Sequence, residues 1–231
     1  MGAIVVPAIE GLEVLVLRAL AALGVGLAIE EGAKTGSKEK TSDCAESAGQ
    51  SQCNQCRLRD GFVGQAVEPR YVTGKTRINY DYQLYIANLF AGPERFFYVK
   101  FGDTANTRID LGAETTKDMF GNGGIYTTTE WSYGGLWFDG FWRSRCTVVE
   151  AKANYEHMWG DGGDDKPWAE GVVRGWVGKA LPAQIAVVQT ASPQGKLEWH
   201  FMQLIPYRKA IDYGIPTTIA RLTPMPTARV Y

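Results

Sequence analysis

The 231-residue chain has no excess of charge of either sign, and it contains few cysteines and histidines. Lys and Arg number 24 against 25 Asp and Glu, so the formal net charge of −1 excludes a polycation that binds nucleic acid through overall charge. An acidic mimic of nucleic acid is excluded for the same reason. Four Cys are too few for a fold built on dense disulfides. Hydrophobic residues nevertheless make up 45% of the chain, enough for a sizeable core.

A long uninterrupted hydrophobic run is also missing, although residues 1–32 are apolar overall. Glu10, Glu13 and Arg18 interrupt this segment, and the uncharged stretch 19–29 is far shorter than the roughly 20 residues that span a bilayer. No basic region precedes it, which argues against a secretory signal peptide. Its leucines recur at helical spacing. We therefore predict an apolar helix, without a stable membrane span, that packs on its own domain or on a secretion chaperone or delivery protein.

Three of the four cysteines fall in a polar, Ser- and Lys-rich stretch that we interpret as a linker, residues 33–60. Cys53 and Cys56 form a C-x-x-C pair there. A structural zinc site would need further ligands from Cys146, His157 or His200, because a second C-x-x-C is absent. A disulfide or redox pair and plain thiols are the other two interpretations. Residues 61–231 are then predicted to form the globular domain.

Hydrophobic periodicity in this domain predicts the order helix, three strands, helix, strand and helix, which indicates an α/β (α+β) fold. Gly134-Gly135 indicates a hairpin, and Pro182 suits the start of a helix. The predicted helices cover 77–90, parts of 168–191, and 207–213. The predicted strands cover 95–101, 125–133, 136–142, 146–154 and 197–202, of which three consecutive ones, 125–154, form a β-meander.

One group of residues in this meander is suited to catalysis. Glu150 and Lys152 point to the same side of their strand, because side chains alternate with period two. A turn near residues 143–145 brings Asp139 of the preceding strand close to Glu150. Mg²⁺ prefers oxygen ligands, usually one or two carboxylates completed by phosphate and water. A lysine beside such a site orients the attacking water and offsets charge on the phosphate. These three residues therefore suit metal-assisted hydrolysis.

A Glu-x-Lys pair on a strand is ordinarily a solvent-exposed pair without a catalytic role. Here the context argues against that interpretation, since large apolar residues surround Asp139 and the strand 146–154 is too apolar to face water. A His on the last strand, His200, is more simply a buried histidine with satisfied hydrogen bonds than a general base. The cluster Asp161, Asp164 and Asp165 is better read as a solvated loop than as a calcium loop.

The arrangement resembles the PD-(D/E)xK nucleases of the restriction-endonuclease fold. It is similar in particular to the fifth restriction-endonuclease-fold toxin family of bacterial polymorphic toxins, found as C-terminal toxin modules and as secretion-system effectors, type VI included. The similarity spans roughly residues 53–204, and residues 92–124 depart from it as an insertion. The residues that carry it are the C-x-x-C pair, Gln83, Glu130-Trp131, the FDGF run 138–141, Cys146, the VEAKANY run 149–155 and the LEWHF run 197–201.

The resemblance implies a restriction-endonuclease-like core with a mixed central sheet flanked by helices. It also implies a metal-dependent DNA endonuclease that acts as a secreted antibacterial toxin. Asp139 and Glu150 would bind Mg²⁺ (or Mn²⁺), Lys152 would act on the attacking water, and Gln83 would assist from the first helix. It also implies a cognate immunity protein. The protein would be made in the bacterial cytoplasm, delivered by contact-dependent secretion, and active in the cytoplasm of the target cell. An RNase on the same fold and a non-catalytic binding module rich in aromatic residues are the alternatives.

The near-zero net charge conceals an uneven distribution. Residues 121–170 hold four Lys or Arg against eight Asp or Glu, whereas residues 171–231 hold seven against two. The acidic block contains the predicted metal site. The basic block supplies candidates for tracking a phosphate backbone. Possible substrate contacts are Glu130, His157, Arg208 and Lys209.

Overall fold

The computed structural model describes residues 56–66, 72–110, 126–160 and 165–226. Its strands are β1 (Phe62–Gly64), β2 (Tyr98–Lys100), β3 (Tyr126–Thr128), β4 (Glu130–Tyr133), β5 (Leu136–Phe138), β6 (Gly140–Trp142), β7 (Thr147–Lys152), β8 (Lys196–Phe201) and β9 (Ala220–Leu222). Its helices are α1 (Arg77–Asn88), α2 (Ala169–Gly175), α3 (Leu181–Gln189) and α4 (Leu204–Asp212), with a π-helical segment Trp176–Ala180 that joins α2 to α3.

Four strands form the central sheet, in the order β6-β7-β8-β9. β6 runs antiparallel to β7, whereas β8 runs parallel to both of its neighbours, β7 and β9. The parallel register places Glu150 beside Trp199 and Lys152 beside Phe201. The predicted α/β fold with a mixed central sheet is confirmed.

Helix α1 packs on one face of this sheet. Its Tyr82 and Ile86 are fully buried in a cluster with Trp142 and Val149. The close approach depends on a glycine, because a Cβ at Gly140 would lie 2.6 Å from both the Cα and the Cβ of Ala87. This packing fixes α1, the helix predicted over 77–90, directly beside the strands that carry the predicted site.

The other face of the sheet is covered by the helical run 169–189 and by α4. The ring of Trp176 lies 6.0 Å from that of Phe201, and Tyr207 of α4 approaches the same ring at 6.1 Å. Pro182 lies in the first turn of α3, as predicted. No break separates α3 from the preceding π-helical segment, so the proline follows a turn whose hydrogen-bond pattern is already altered.

The predicted three-strand meander is wrong in its connections. The run 125–133 contains β3 and β4, which belong to different sheets, and the run 136–142 is divided at Asp139 into β5 and β6. β5 pairs with β4 and β6 pairs with β7, so this run connects two sheets instead of lying in one. The Gly134-Gly135 hairpin is confirmed, since both glycines have positive φ, +57° and +77°, between paired β4 and β5.

A disulfide joins Cys56 to Cys146 across 90 residues, with their Cα atoms 5.6 Å apart. The three interpretations of Cys56 given above, as a zinc ligand, a partner of Cys53 or a plain thiol, are therefore wrong. The bridge holds the start of the described chain, where Leu58 is fully buried, against the turn between β6 and β7. Cys44 and Cys53 lie outside the described residues.

Several other predictions also fall outside the described residues. They concern the apolar segment 1–32, most of the linker 33–60, the part of the insertion beyond residue 110, and Asp161 and Asp164. Within the described ranges, no helix is both long and apolar enough to cross a membrane.

Candidate active site

Asp139 occupies the bend between β5 and β6. Its side chain is buried, and its Oδ2 accepts a hydrogen bond of 2.6 Å from the backbone N–H of Ala151. The register Gly140↔Val149, continued by one residue, places Asp139 opposite Glu150. The register Trp131↔Phe138, continued in the same way, places it opposite Glu130. Asp139 thus stands between two glutamates, one on each side.

Glu150 and Lys152 lie on the same face of β7, as the period-two alternation predicts. Both side chains are buried, and Lys152 Nζ donates to Glu150 Oε1 over 2.5 Å. The ammonium group also lies 4.7 Å from the ring of Trp199 and 5.8 Å from that of Trp176. The ion pair with Glu150 and the two aromatic rings together stabilise the charged form of Lys152 in a position removed from water.

A residue that the sequence analysis missed completes this arrangement. Gln184 of α3 is buried and donates from Nε2 to Glu150 Oε2 over 2.8 Å. Its own Oε1 accepts a hydrogen bond of 2.8 Å from Trp199 Nε1. The two contacts fix the orientation of the glutamine amide, and with it that of the carboxylate. The signal in the sequence is a lone polar residue within the otherwise apolar run LPAQIAVV, 181–188.

The predicted assisting residue, Gln83, lies next to the acidic group. Its Nε2 donates to Glu130 Oε1 over 3.2 Å, and both side chains are buried. Helix α1 thereby reaches the start of β4, where Glu130 stands beside Asp139. The structure brings together Gln83, Glu130, Asp139, Glu150 and Lys152.

Burial shifts the proton affinities of the site in opposing ways. Desolvation raises the pKa of Asp139 well above its ordinary value, and the charges of Glu150 and Glu130 raise it further against the opposing effects of Lys152 and the Ala151 N–H. Desolvation alone would lower the pKa of Lys152, but Glu150, Tyr155 and Asp139 outweigh it and raise the value. Lys152 therefore stays protonated at neutral pH and acts as a donor.

Three predicted substrate contacts lie apart from this group. His157 is exposed, and its ring lies 6.0 Å from that of Trp168 at a tilt of 50°. Arg208 is exposed on α4, and Lys209 pairs with Asp165 at 3.5 Å. His200 is buried, and its two ring nitrogens contact Thr223 and Glu198, which confirms the prediction of a satisfied histidine.

The donor set fits a hard divalent cation. Among the described residues, burial of Asp139 and the charges of Glu150 and Glu130 oppose its ionisation, so a bound cation would favour the carboxylate form. In the described ranges, no three His, Cys, Asp or Glu residues converge as a complete ligand cage. Mg²⁺ does not need one, because it is commonly held by one or two carboxylates together with substrate phosphate and water.

The mixed sheet between helices, with an aspartate opposite a Glu-x-Lys strand, has the arrangement of the restriction-endonuclease fold. Residues 115–204 match the family model described as restriction endonuclease fold toxin 5. The match includes Glu130, Asp139, Glu150, Lys152 and Gln184. It does not reach Gln83. A search of curated proteins found no match to the chain.

The matched family suggests a general class for this part of the chain. Its description as a toxin with this fold indicates a nuclease, which is a hydrolase, and implies a nucleic acid substrate and a cognate immunity protein. Nucleases of the restriction-endonuclease fold typically use divalent metals, in agreement with the carboxylates at this site.

Proposed function

We propose that the domain is a metal-dependent endonuclease that cleaves DNA and acts as a secreted antibacterial toxin. The observation that carries the proposal is the burial of Asp139, Glu150 and Lys152 at the junction of β6 and β7, where Asp139 accepts from the Ala151 N–H and Lys152 donates to Glu150. Two acid groups and one protonated amine are the residue types that phosphodiester hydrolysis with a divalent cation requires.

Asp139 and Glu150 are the residues that would hold Mg²⁺ or Mn²⁺. When bound, the cation supplies Lewis-acid polarisation of a phosphoryl oxygen and lowers the pKa of a water molecule. In the hydrolysis, a water oxygen bonds to phosphorus while the bond from phosphorus to a sugar oxygen breaks. Lys152 carries its proton, so it orients the attacking water and offsets the negative charge that develops on the phosphate.

Two glutamines position the carboxylates. Gln184 directs one oxygen of Glu150 by a hydrogen bond, and Trp199 holds Gln184 in the required orientation. Gln83 does the same for Glu130. Partners of this kind tune the ligands they touch and are typically worth about 10- to 100-fold in metal affinity or activity.

Positive charge outside the site would guide the substrate. Arg208 and Lys209 belong to the basic block 171–231, and His157 follows the strand that carries Lys152. We assign these residues to weak contacts with the phosphate backbone, whose strength falls as salt rises.

The biological setting follows from the toxin family. We propose that the protein is made in the bacterial cytoplasm and delivered into a competing cell by contact-dependent secretion, as a type VI effector. It would cleave DNA in the cytoplasm of the target cell. A cognate immunity protein would protect the producer, and a chaperone or delivery protein would receive the apolar segment 1–32.

The test is direct cleavage of plasmid DNA. Purified protein is incubated with Mg²⁺ or Mn²⁺, with and without EDTA, beside the Asp139→Asn variant. We expect nicked and linear DNA only with wild-type protein and free metal. Intact plasmid with every divalent metal, or equal cleavage by the variant, would contradict the proposal.

The same assay separates the alternatives. Cleavage of total RNA with DNA left intact would identify an RNase. A binding module would shift DNA mobility without cleaving it. Five of the seven tryptophans, at 131, 142, 159, 176 and 199, are buried, so they do not line an open groove as the binding-module hypothesis would need.

A further inference from the structure

A cleft of about 830 Å³ lies between α1 and β2, and the catalytic proposal makes no use of it. Its walls are aromatic, formed in part by Tyr85, Phe97 and Tyr98. Pockets of this size, with mainly apolar walls and a few placed polar groups, are typical of sites for small molecules or single chemical groups of a polymer.

A buried carboxylate lies at the inner side of the cleft. Asp81 is only 1% exposed, and Tyr98 Oη donates to its Oδ1 over 2.8 Å. Its Oδ2 accepts no hydrogen bond, although Arg77 Nε lies 3.5 Å away within ion-pair range. A buried acceptor without a hydrogen bond is costly. A ligand that offers N–H donors would satisfy it.

The outer rim of the cleft carries cationic groups. Arg95 and Arg108 are both exposed, and the partner of Arg108 is Asp110, itself 86% exposed. Such a solvent-exposed ion pair contributes little, so the Arg108 guanidinium remains able to bind an anion. Arginine is well suited to phosphate because its planar N–H groups bind two oxygens at once.

The cleft adjoins the candidate active site through shared elements. Asp81 and Gln83 both belong to α1 but project from nearly opposite sides of it, and Gln83 donates to Glu130. The direct link runs along the other wall, where the N–H of Thr129, the neighbour of Glu130, donates to the carbonyl of Phe97 over 2.9 Å. A nucleic acid strand with its scissile phosphate at Asp139 would reach the cleft past this contact.

We propose that this cleft binds one unstacked nucleotide of the nucleic acid substrate and that the base it selects is guanine. The base would stack on the aromatic walls, and its phosphate would meet the rim arginines. Guanine is the base whose Watson–Crick edge presents an imino and an amino N–H side by side, the donors that a carboxylate such as Asp81 accepts. The inference rests on the proposed nuclease function and makes it sequence-selective.

Binding tests the cleft separately from catalysis. Fluorescence anisotropy with the uncleaving Asp139→Asn protein would compare a short single-stranded oligonucleotide that contains guanine with the same oligonucleotide carrying inosine, which lacks the amino group. We expect roughly tenfold weaker binding of the inosine form, the scale of a lost base-specific contact. Equal binding of the two oligonucleotides would overturn the proposal, whether or not the wild-type protein cleaves DNA.

Variants then test which residues cause the preference for guanine over inosine. Asp81→Asn, made in the Asp139→Asn background, keeps an oxygen for the Tyr98 hydroxyl but removes the second acceptor, so the difference between guanine and inosine should disappear. Arg108→Ala should weaken both oligonucleotides alike. Asp212→Asn, on α4, is the matched control and should keep the full difference. A difference that persists in Asp81→Asn would overturn the assignment.

Cut-site sequencing supplies the second readout. Wild-type protein should leave ends with guanine enriched at one fixed position relative to the break, and Asp81→Asn alone should lose that enrichment. Ends without any positional preference would contradict the proposal while leaving the nuclease function intact. An absence of any cleavage would instead contradict the proposed function.

Discussion

Asp139 lies opposite Glu150 in the antiparallel register of β6 and β7, and the Ala151 N–H fixes its Oδ2 at 2.6 Å. On the other side of Asp139, the register of β4 and β5, continued by one residue, places Glu130 opposite it. One bend in the chain therefore concentrates negative charge, because two glutamates lie close enough to the buried Asp139 to raise its pKa, with the Lys152 ammonium group beside Glu150. Much of the chemistry and the stability of the domain depends on how that charge is compensated.

Replacing Asp139 by Asn should abolish DNA cleavage and stabilise the metal-free protein. Loss of a direct ligand should reduce the cleavage rate by more than about 100-fold, since partners outside the ligand shell are already worth 10- to 100-fold. Asn retains an acceptor for the Ala151 N–H but carries no charge. We expect the melting temperature in EDTA to rise, because the variant removes a carboxyl group whose ionised form is unfavourable in this buried position.

Metal titration provides the control for that variant. Mg²⁺ should raise the melting temperature of the wild-type protein, because a ligand that binds only the folded state stabilises it. Asp139→Asn should show no such rise. A variant that melts below the wild-type protein in EDTA would show that the Asp139 charge is compensated in the metal-free state.

Stability of the metal-free protein should fall as pH rises from acid to neutral. The pKa of Asp139 is raised in the folded state. The folded chain therefore binds the proton of this carboxyl group more tightly than the unfolded chain does. The resulting stability is complete below the unfolded-state pKa, about 4, and is lost as pH rises through the folded-state value. Melting curves of wild-type protein and Asp139→Asn in EDTA should therefore nearly coincide at pH 4 and separate toward pH 7. If the melting temperatures of the two proteins differed by the same amount at every pH in this range, the prediction would be wrong.

Gln184→Leu should slow cleavage by about 10- to 100-fold and raise the Mg²⁺ concentration needed for half-maximal activity. The variant removes the donor to Glu150 Oε2 and leaves Trp199 Nε1 without its acceptor. The substrate concentration for half-maximal rate should change little, since Gln184 acts on the carboxylate. Gln189→Leu, an exposed residue on the same helix, is the matched control. Equal metal dependence in both variants would assign Gln184 a purely structural role.

Lys152→Met should destabilise the protein as well as inactivate it. Removing one partner of a buried ion pair leaves Glu150 charged and uncompensated, at a cost of about 3–5 kcal/mol. The double variant Glu150→Gln with Lys152→Met removes both charges, so it should recover most of the stability and none of the activity. Urea unfolding in EDTA measures the coupling between the two sites. Additive losses in the double variant would mean that the ion pair contributes nothing.

Reduction of the Cys56–Cys146 disulfide should lower the free energy of unfolding by roughly 4 kcal/mol, because the bridge closes a loop of 90 residues and restricts the unfolded chain. The Cys56→Ser, Cys146→Ser double variant should show the same loss of stability under oxidising conditions. Unfolding curves with and without dithiothreitol provide the measurement. Identical curves for the oxidised and reduced wild-type protein would exclude the bridge.

Local patterns allowed part of this structure to be predicted. The spacing of Glu150 and Lys152 in an apolar strand indicated their common face, and the glycines at 134 and 135 marked the hairpin. The helix over 77–90 followed from its periodicity. These features depend on neighbours within a few residues, so the sequence contains the information directly.

Contacts between distant residues could not be predicted in the same way. The run 136–142 reads as one strand, and only its pairing with β4 on one side and β7 on the other divides it at Asp139. Gln184 reaches Glu150 across 34 residues. Cys56 has a nearer potential partner in Cys53, but its bond is to Cys146. In each case the tertiary fold selects the partner, and no local pattern indicates the choice.

The covalent link between Cys56 and Cys146 also has a consequence for where the domain completes its folding. Bonds of this kind persist in oxidising compartments and are rare in a reducing cytosol. A chain made in the bacterial cytoplasm would then be synthesised without this disulfide and would be less stable. Lower stability favours passage through a narrow export apparatus. The bridge would form only while the chain is outside both cytoplasms, and the reducing cytoplasm of the target cell would favour its reduction again, so the bridged form would be the one present during transfer.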